Sequence, residues 1–299
     1  TALSQDPRFM FADGDPGRAE IMQFIEDRIA WIRAQMPRAF REVAAGNLEV
    51  RRLPPAEEPG APTAYGGAGS VDGTVPGKMW INLRTTDLHR KYDLADLTYH
   101  ETIPGHVWEG EYSNRLPLIR SILAFNPFSE GWALYGEQIA DELGAYDGFE
   151  VGRLGYLQSL AFRACRMVVD TGLHAKGWSR AKAVDFFVTR NGSKPAEVES
   201  EVDRYCSWPG QATGYMVGKL EILRQRQRAP HIGFVFAHYA SAHSIWTTTC
   251  WVPILSNASH ACTAITCSPA ARFEMVHWAR SSRLSYTPSA AATVYSSSP

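Results

Sequence analysis

The segment YHETIPGHVWEG, residues 99–110, carries side chains able to hold a metal and to move a proton: His100, Glu101 and His106. In the zinc motif HExxH the two histidines stand about 40° apart around a helix, and both reach one ion. Here they are six residues apart, which on a regular helix turns them about 120° from one another and separates them by about 9 Å along the axis. Pro104 intervenes. It has no N–H to give the carbonyl of His100, so the helix must kink, bulge or stop there. Gly105 tolerates whatever backbone results and could bring His106 back toward His100. The competing reading ends the helix at Ile103 and leaves His106 in the next loop.

Zinc in a hydrolytic site takes three protein ligands and keeps one position open for water. The stretch FSEGWALYGE offers two carboxylates, Glu130 and Glu137, seven residues apart and hence on one helix face with Leu134 between them. Among neighbours as apolar as GWAL and IA, buried carboxylates need partners. The alternative is a solvent face shared with Gln138, Asp141 and Glu142. Further along, Arg166, Asp170 and His174 recur every four residues. Asp170 could orient a protonated His174 as an oxyanion donor, or the three could form an ordinary surface ion-pair ladder. Gln211, Tyr215 and Gly218 share a face of another helix, where the Tyr215 hydroxyl could donate to a tetrahedral intermediate. Core packing explains Tyr215 equally well.

Other chemistries fail on inspection. DGTVPGKM lacks the first Gly and the closing Ser or Thr of a P-loop. The nucleophile elbow GxSxG is absent from the chain. Five cysteines, an odd number without a CxxC pair, argue for free thiols. A formal net charge of −1 over 299 residues excludes nucleic acid or an anionic membrane as the main partner, since both require a basic face. No apolar run approaches the length of a membrane span. The Thr start carries neither an initiator Met nor a signal-peptide pattern, so the compartment is not legible.

The elements that must position these residues are mostly helices. Asp15 and Pro16 read as a helix start, and Ile21, Ile25, Ile29, Ile32 and Met36 keep helical spacing up to Pro37. LEVRRLP and KMWINLR read as two strands, a small β-hairpin around a Gly/Pro/Ala-rich loop over 55–77. Helices are expected over 94–103, 130–143 and 153–175, the last with a buried stripe of Leu154, Leu157, Leu160/Ala161, Ala164, Met167/Val168 and Thr171. SRAKAVDFFVTRNG and a helix starting at Pro209 supply two more. Beyond about residue 230 the sequence turns to Ser, Thr, Ala and His with few charges, a composition expected to be disordered.

Together YHETIPGH, EGWALYGE, RACRMVVDTGLHAKGW and RYCSWPGQATGYMVGKLEILR resemble successive blocks of the bacterial family called domain of unknown function 885, over roughly residues 3 to 228. That family is grouped with zincin-like metallopeptidases and its histidine motif is HExxPGH. The resemblance implies Zn²⁺ held by His100, His106 and Glu130, with Glu101 as general base. Glu137 and Asp170 fall in matching blocks as supporting residues. A mainly α, zincin-like helical domain with a small β-hairpin before the active-site helix follows for residues 1–230, and the edge strand of such folds aligns an extended peptide. KMWINLR is the expected edge, with Trp80, Asn82 and, from the later helix, Gln211 as substrate contacts. The expected function is zinc-dependent hydrolysis of a peptide or small amide, metallopeptidase- or carboxypeptidase-like, through a metal-activated water. A non-catalytic helical binding protein and a hydrolase of other amides or esters are the alternatives. The chain departs from the family in three respects. Val107 stands where relatives often carry a further histidine, relatives are longer toward the N-terminus, and residues 231–299 lack the charged, Leu-rich helices expected there, as a shifted reading frame would produce.

Overall fold

The computed structural model describes residue 3 and residues 6–119 and 125–228; the atypical segment 231–299 lies outside the described residues. Helix α1 (Gly14–Ala39) is a one-sided helix, with Ile21, Ile25, Ile29, Ile32 and Met36 all buried. It begins after Asp13 and runs through Pro37 to Ala39, a shift of about one or two residues at each end that frayed termini make ordinary. Helices α2 (Lys91–Glu101), α3 (His106–Ser113) and α4 (Asn126–Leu143) follow the sheet. Helices α5 (Glu150–Lys176), α6 (Arg180–Asn191), α7 (Pro195–Ser207) and α8 (Gln211–Arg228) complete the described chain.

The expected hairpin is replaced by a three-stranded sheet. Strands β1 (Leu48–Arg52) and β3 (Gly77–Ile81) pair in parallel, with Leu48 opposite Gly77 and Arg52 opposite Ile81. Between them in sequence, β2 (Ala64–Gly67) pairs antiparallel to β3 on its other side, giving the order β1-β3-β2. The strand KMWI is therefore central and β2 is an edge. Two glycines in AYGG and its Gly/Pro-rich surroundings hide β2 from a propensity reading, and a hidden strand turns a hairpin into a crossover.

The long helix α5 also departs from expectation. Leu154, Leu157 and Val168 are exposed, at 51%, 49% and 40%, while Tyr156, Cys165, Arg166, Val169 and Asp170 face inward. Two charged groups share that inner face with Tyr156, Cys165 and Val169 because they find partners. Arg166 donates to Glu201 (3.0 Å) and Tyr205 (3.1 Å), and Asp170 accepts the backbone N–H of Gly210 at 3.1 Å. Burying satisfied polar groups costs little, whereas orphaned ones are expensive.

Among the described residues two apolar clusters result. One joins α1, the sheet, α2 and α4 through Ile25, Met79, Tyr99, Trp132 and Tyr135. The other joins α5, α6, α7 and the start of α8 through Val169, Phe187, Val202, Tyr205 and Ala212. Helix α8 packs closely on α4. A Cβ on Gly218 would stand 1.7 Å from the Pro127 carbonyl, so glycine there is what lets Tyr215, one turn earlier, approach the histidines.

Candidate metal centre

Helix α2 ends at Glu101, and the Thr102–Gly105 turn includes a cis Ile103–Pro104 bond. Helix α3 then restarts at His106. The backbone folds back tightly on α2, since a Cβ on Gly105 would meet the His100 carbonyl oxygen at 1.7 Å. The indole of Trp132, from α4, donates to the Pro104 carbonyl at 2.8 Å and holds the turn. The rings of His100 and His106 consequently lie 4.9 Å apart, edge to face. The Pro-Gly break thus brings the late histidine back instead of losing it.

Helix α4 supplies both carboxylates. Glu130 Oε2 lies 3.2 Å from His106 Nε2 and 3.6 Å from His100 Nε2. Glu137, two turns along the same face and fully buried, accepts from His100 Nδ1 at 2.7 Å. Burial acts against a charge on His100, but contact with Glu130 and Glu137 outweighs it and holds the imidazole pKa well above its usual value. Burial likewise works to raise the Glu130 carboxyl, and the two imidazoles reverse that and hold it far below the carboxylate range.

This donor set fits zinc. One ligand atom from each of His100, His106 and Glu130 lies within 4.8 Å of the others, and two imidazoles with one carboxylate are a hydrolytic zinc set. With Glu137 accepting from Nδ1 of His100, Nε2 points at Glu130 Oε2; the raised pKa keeps a proton on Nε2, and a metal ion can take that proton's place. Glu130 Oε2 is itself buried and lacks a hydrogen bond of good geometry. A lone pair and a carboxylate oxygen facing one another need a cation or a proton between them. On the other ring, His106 Nδ1 lies 3.3 Å from the Ser129 hydroxyl, leaving its Nε2 toward Glu130.

The three residues line a cleft of 1090 Å³ together with Glu101, Tyr215 and the whole of β2. Glu101 is buried against the edge strand, where a Cβ on Gly66 would stand 3.1 Å from its Oε2 and 2.3 Å from its carbonyl oxygen. Tyr215 stacks toward His100 with ring centroids 6.3 Å apart, and the Arg166 guanidinium covers its ring at 4.4 Å.

Other candidates stand apart from the cleft. His174 bonds through Nε2 to the Tyr205 carbonyl at 3.0 Å and ties α5 to α7. Asp170 holds the N–H of Gly210 ahead of α8 instead of orienting His174. Asn82 is buried and donates to the Glu58 carbonyl at 2.8 Å, pinning the 58–62 turn to the sheet. Trp80 is half-buried on the central strand, and Gln211 accepts from Arg204 at 3.3 Å. None of these five lines the cleft. The sequence reading missed the β2 backbone, Ser129, and Arg204 and Trp208 on the cleft wall. Only Ser129, next to Glu130, carried a local signal.

The family described as bacterial protein of unknown function (DUF885) matches residues 1–233. Among solved structures, a protein from Colwellia psychrerythraea, provisionally described as a lipoprotein, is 37% identical with a TM-score of 0.77 over 86% of this chain and 46% of its own. A protein of unknown function from Shewanella oneidensis, also provisionally described as a lipoprotein, is 22% identical with a TM-score of 0.62 over 78% of this chain and 45% of its own. The latter likeness concerns the fold alone. The chain thus spans about half the length of the solved chains it resembles. No curated protein matches it.

Proposed function

We propose that this chain, which belongs to the bacterial family DUF885, is a zinc-dependent hydrolase of peptide bonds with a zincin-like centre. One observation carries the reading: His100, His106 and Glu130 converge within 4.8 Å in a cleft that Glu101 also lines. When bound there, zinc would supply Lewis acidity and lower the pKa of a coordinated water.

The chain's own residues divide the remaining work. Glu137 fixes the ring plane and tautomer of His100 through the Nδ1 bond, and Ser129 sits at the corresponding nitrogen of His106. Glu101, adjacent in sequence to one ligand and facing the cleft, accepts a proton from the attacking water and returns it to the leaving amine. Tyr215 offers its hydroxyl to the developing oxyanion, with Arg166 stacked on the ring to hold its orientation. His174, bonded to α7 and outside the cleft, is left out of this assignment.

The edge strand β2 lines the same cleft, which suits an extended acyl chain lying beside it. No helix among the described residues is long and apolar enough to cross a membrane. The lipoprotein description of the Colwellia psychrerythraea relative supports an exported location, testable by fractionation of tagged full-length protein. The deciding experiment pairs two variants. Glu101→Gln should retain stoichiometric zinc and lose hydrolysis by at least about 100-fold, whereas His100→Ala should lose the metal. Turnover retained in Glu101→Gln, or wild-type protein without zinc, refutes the reading.

A further inference from the structure

The cleft contains a feature that metal chemistry does not use. Its lining carboxylates are Glu101, Glu109, Glu130 and Glu201, and Arg204 is the only Lys or Arg among the described residues lining it. We infer that Arg204 receives an ionised carboxylate of the substrate, so that the cleft takes peptides by a free C-terminal end. This rests on the hydrolase reading above and narrows its substrate class.

The ion pairs around α7 support the inference. Arg204 reaches Glu201 Oε1 at 3.4 Å and Gln211 Oε1 at 3.3 Å, both long contacts. Glu201 is already engaged, because the buried Arg166 donates to its Oε2 at 3.0 Å and the Tyr205 hydroxyl does so at 2.9 Å. Two guanidiniums share Glu201, and Asp203, the acid next to Arg204 in sequence, pairs with Arg180 at 2.6 Å, so Arg204 keeps a long carboxylate contact of 3.4 Å. A guanidinium presents five N–H donors in a planar fork that matches a carboxylate two-on-two. Arg204 commits few of them, and its side chain is 37% exposed.

The residue beside it supports the same use. Trp208 lines the cleft, is 60% exposed, and lies with its ring 5.8 Å from the Arg204 guanidinium carbon. An exposed indole next to an underused guanidinium offers an apolar platform for a terminal side chain and a fork for its carboxylate. The acidic groups elsewhere in the cleft are placed apart from Arg204. Glu130 faces the imidazoles, Glu109 accepts from the Ser113 hydroxyl, and Glu101 packs on Gly66. An incoming carboxylate would be repelled near those groups unless a cation anchors it, and Arg204 supplies that cation.

The test uses degenerate peptides in two forms, free acid and C-terminal amide, with the zinc-loaded full chain. Hydrolysis is measured on the wild type, and binding is measured by calorimetry on the non-hydrolysing Glu101→Gln protein. Wild type should favour the free acid by at least about 10-fold in kcat/KM, and Glu101→Gln by at least about 10-fold in Kd, as a charge-assisted pair warrants. Arg204→Gln should bring the acid down to the level of the amide, and Arg204→Lys should keep part of the preference. Equal handling of acid and amide, a preference that survives Arg204→Gln, or binding of neither peptide overturns the inference. If the acid binds preferentially and neither form is cleaved, the hydrolase reading fails and the carboxylate site stands. If both forms are cleaved alike, the carboxylate site fails alone.

Discussion

Replacing Glu137 by Gln keeps the volume and removes the charge that holds His100. The carboxylate is fully buried and accepts from Nδ1 at 2.7 Å. Removing such a supporting partner costs about 10- to 100-fold in metal affinity, or about 1.4 to 2.8 kcal/mol. The consequence is readable without turnover. With zinc buffered at 100 times the wild-type Kd, bound metal stabilises the native protein by about 2.7 kcal/mol. In Glu137→Gln at the same free zinc, this falls to about 1.4 kcal/mol for a tenfold loss and about 0.4 kcal/mol for a hundredfold loss. Chelator competition gives the affinity, and denaturant unfolding with and without zinc gives the stabilisation. Two results refute the reasoning: equal zinc stabilisation of both proteins, or wild-type stability indifferent to zinc. Either would mean that His100 does not bind through Nε2 with Glu137 behind it.

Three further outcomes follow from the packing. Gly105→Ala places a methyl where the His100 carbonyl stands 1.7 Å away, so zinc binding should be lost together with about 2 kcal/mol or more of stability, read by metal content and denaturant melts. Leu157→Gln should change stability by no more than about 0.5 kcal/mol, because the side chain is 49% exposed; a loss of 2 kcal/mol or more would restore the buried stripe that its spacing suggests. Asp96 is buried, and burial first and then the charge of Glu137 raise its pKa from 3.8 to about 7. An acid raised in the native state favours folding below the unfolded value, and that contribution is lost as pH rises from about 4 to 7. Asp96→Asn should therefore match wild type near pH 4 and exceed its stability near pH 8, by up to about 4 kcal/mol. An advantage independent of pH would contradict it.

The residues of the candidate metal centre were legible as a group because their signals are local. Pro104 and Gly105 mark the break at the right place, and the seven-residue spacing of Glu130 and Glu137 puts both on the inner face of α4. Periodicity found the core face of α1 because Ile21 to Met36 are apolar and nothing competes for that face. It failed on α5, where Arg166 and Asp170 share the inner face with Tyr156, Cys165 and Val169, and the partners of those two charged groups, Glu201 and Gly210, lie 30 to 40 residues away in sequence. His174 and Asn82 looked like chemistry and are ties between elements, since a polar residue in a fold more often closes a hydrogen bond than serves a ligand.

By itself the sequence determined a mainly helical chain, its break at Pro104, and a set of histidines and glutamates whose types suit zinc. Those features depend on backbone sterics and on periods of a few residues. Only the tertiary structure decided that β3 is central and β2 forms the edge beside Glu101, that Glu130 faces the imidazoles while Glu137 stands behind one of them, and that Arg204 and Trp208 share their cleft. Each is set by the docking of one element on another, through contacts between residues far apart in the chain, and no local pattern records it.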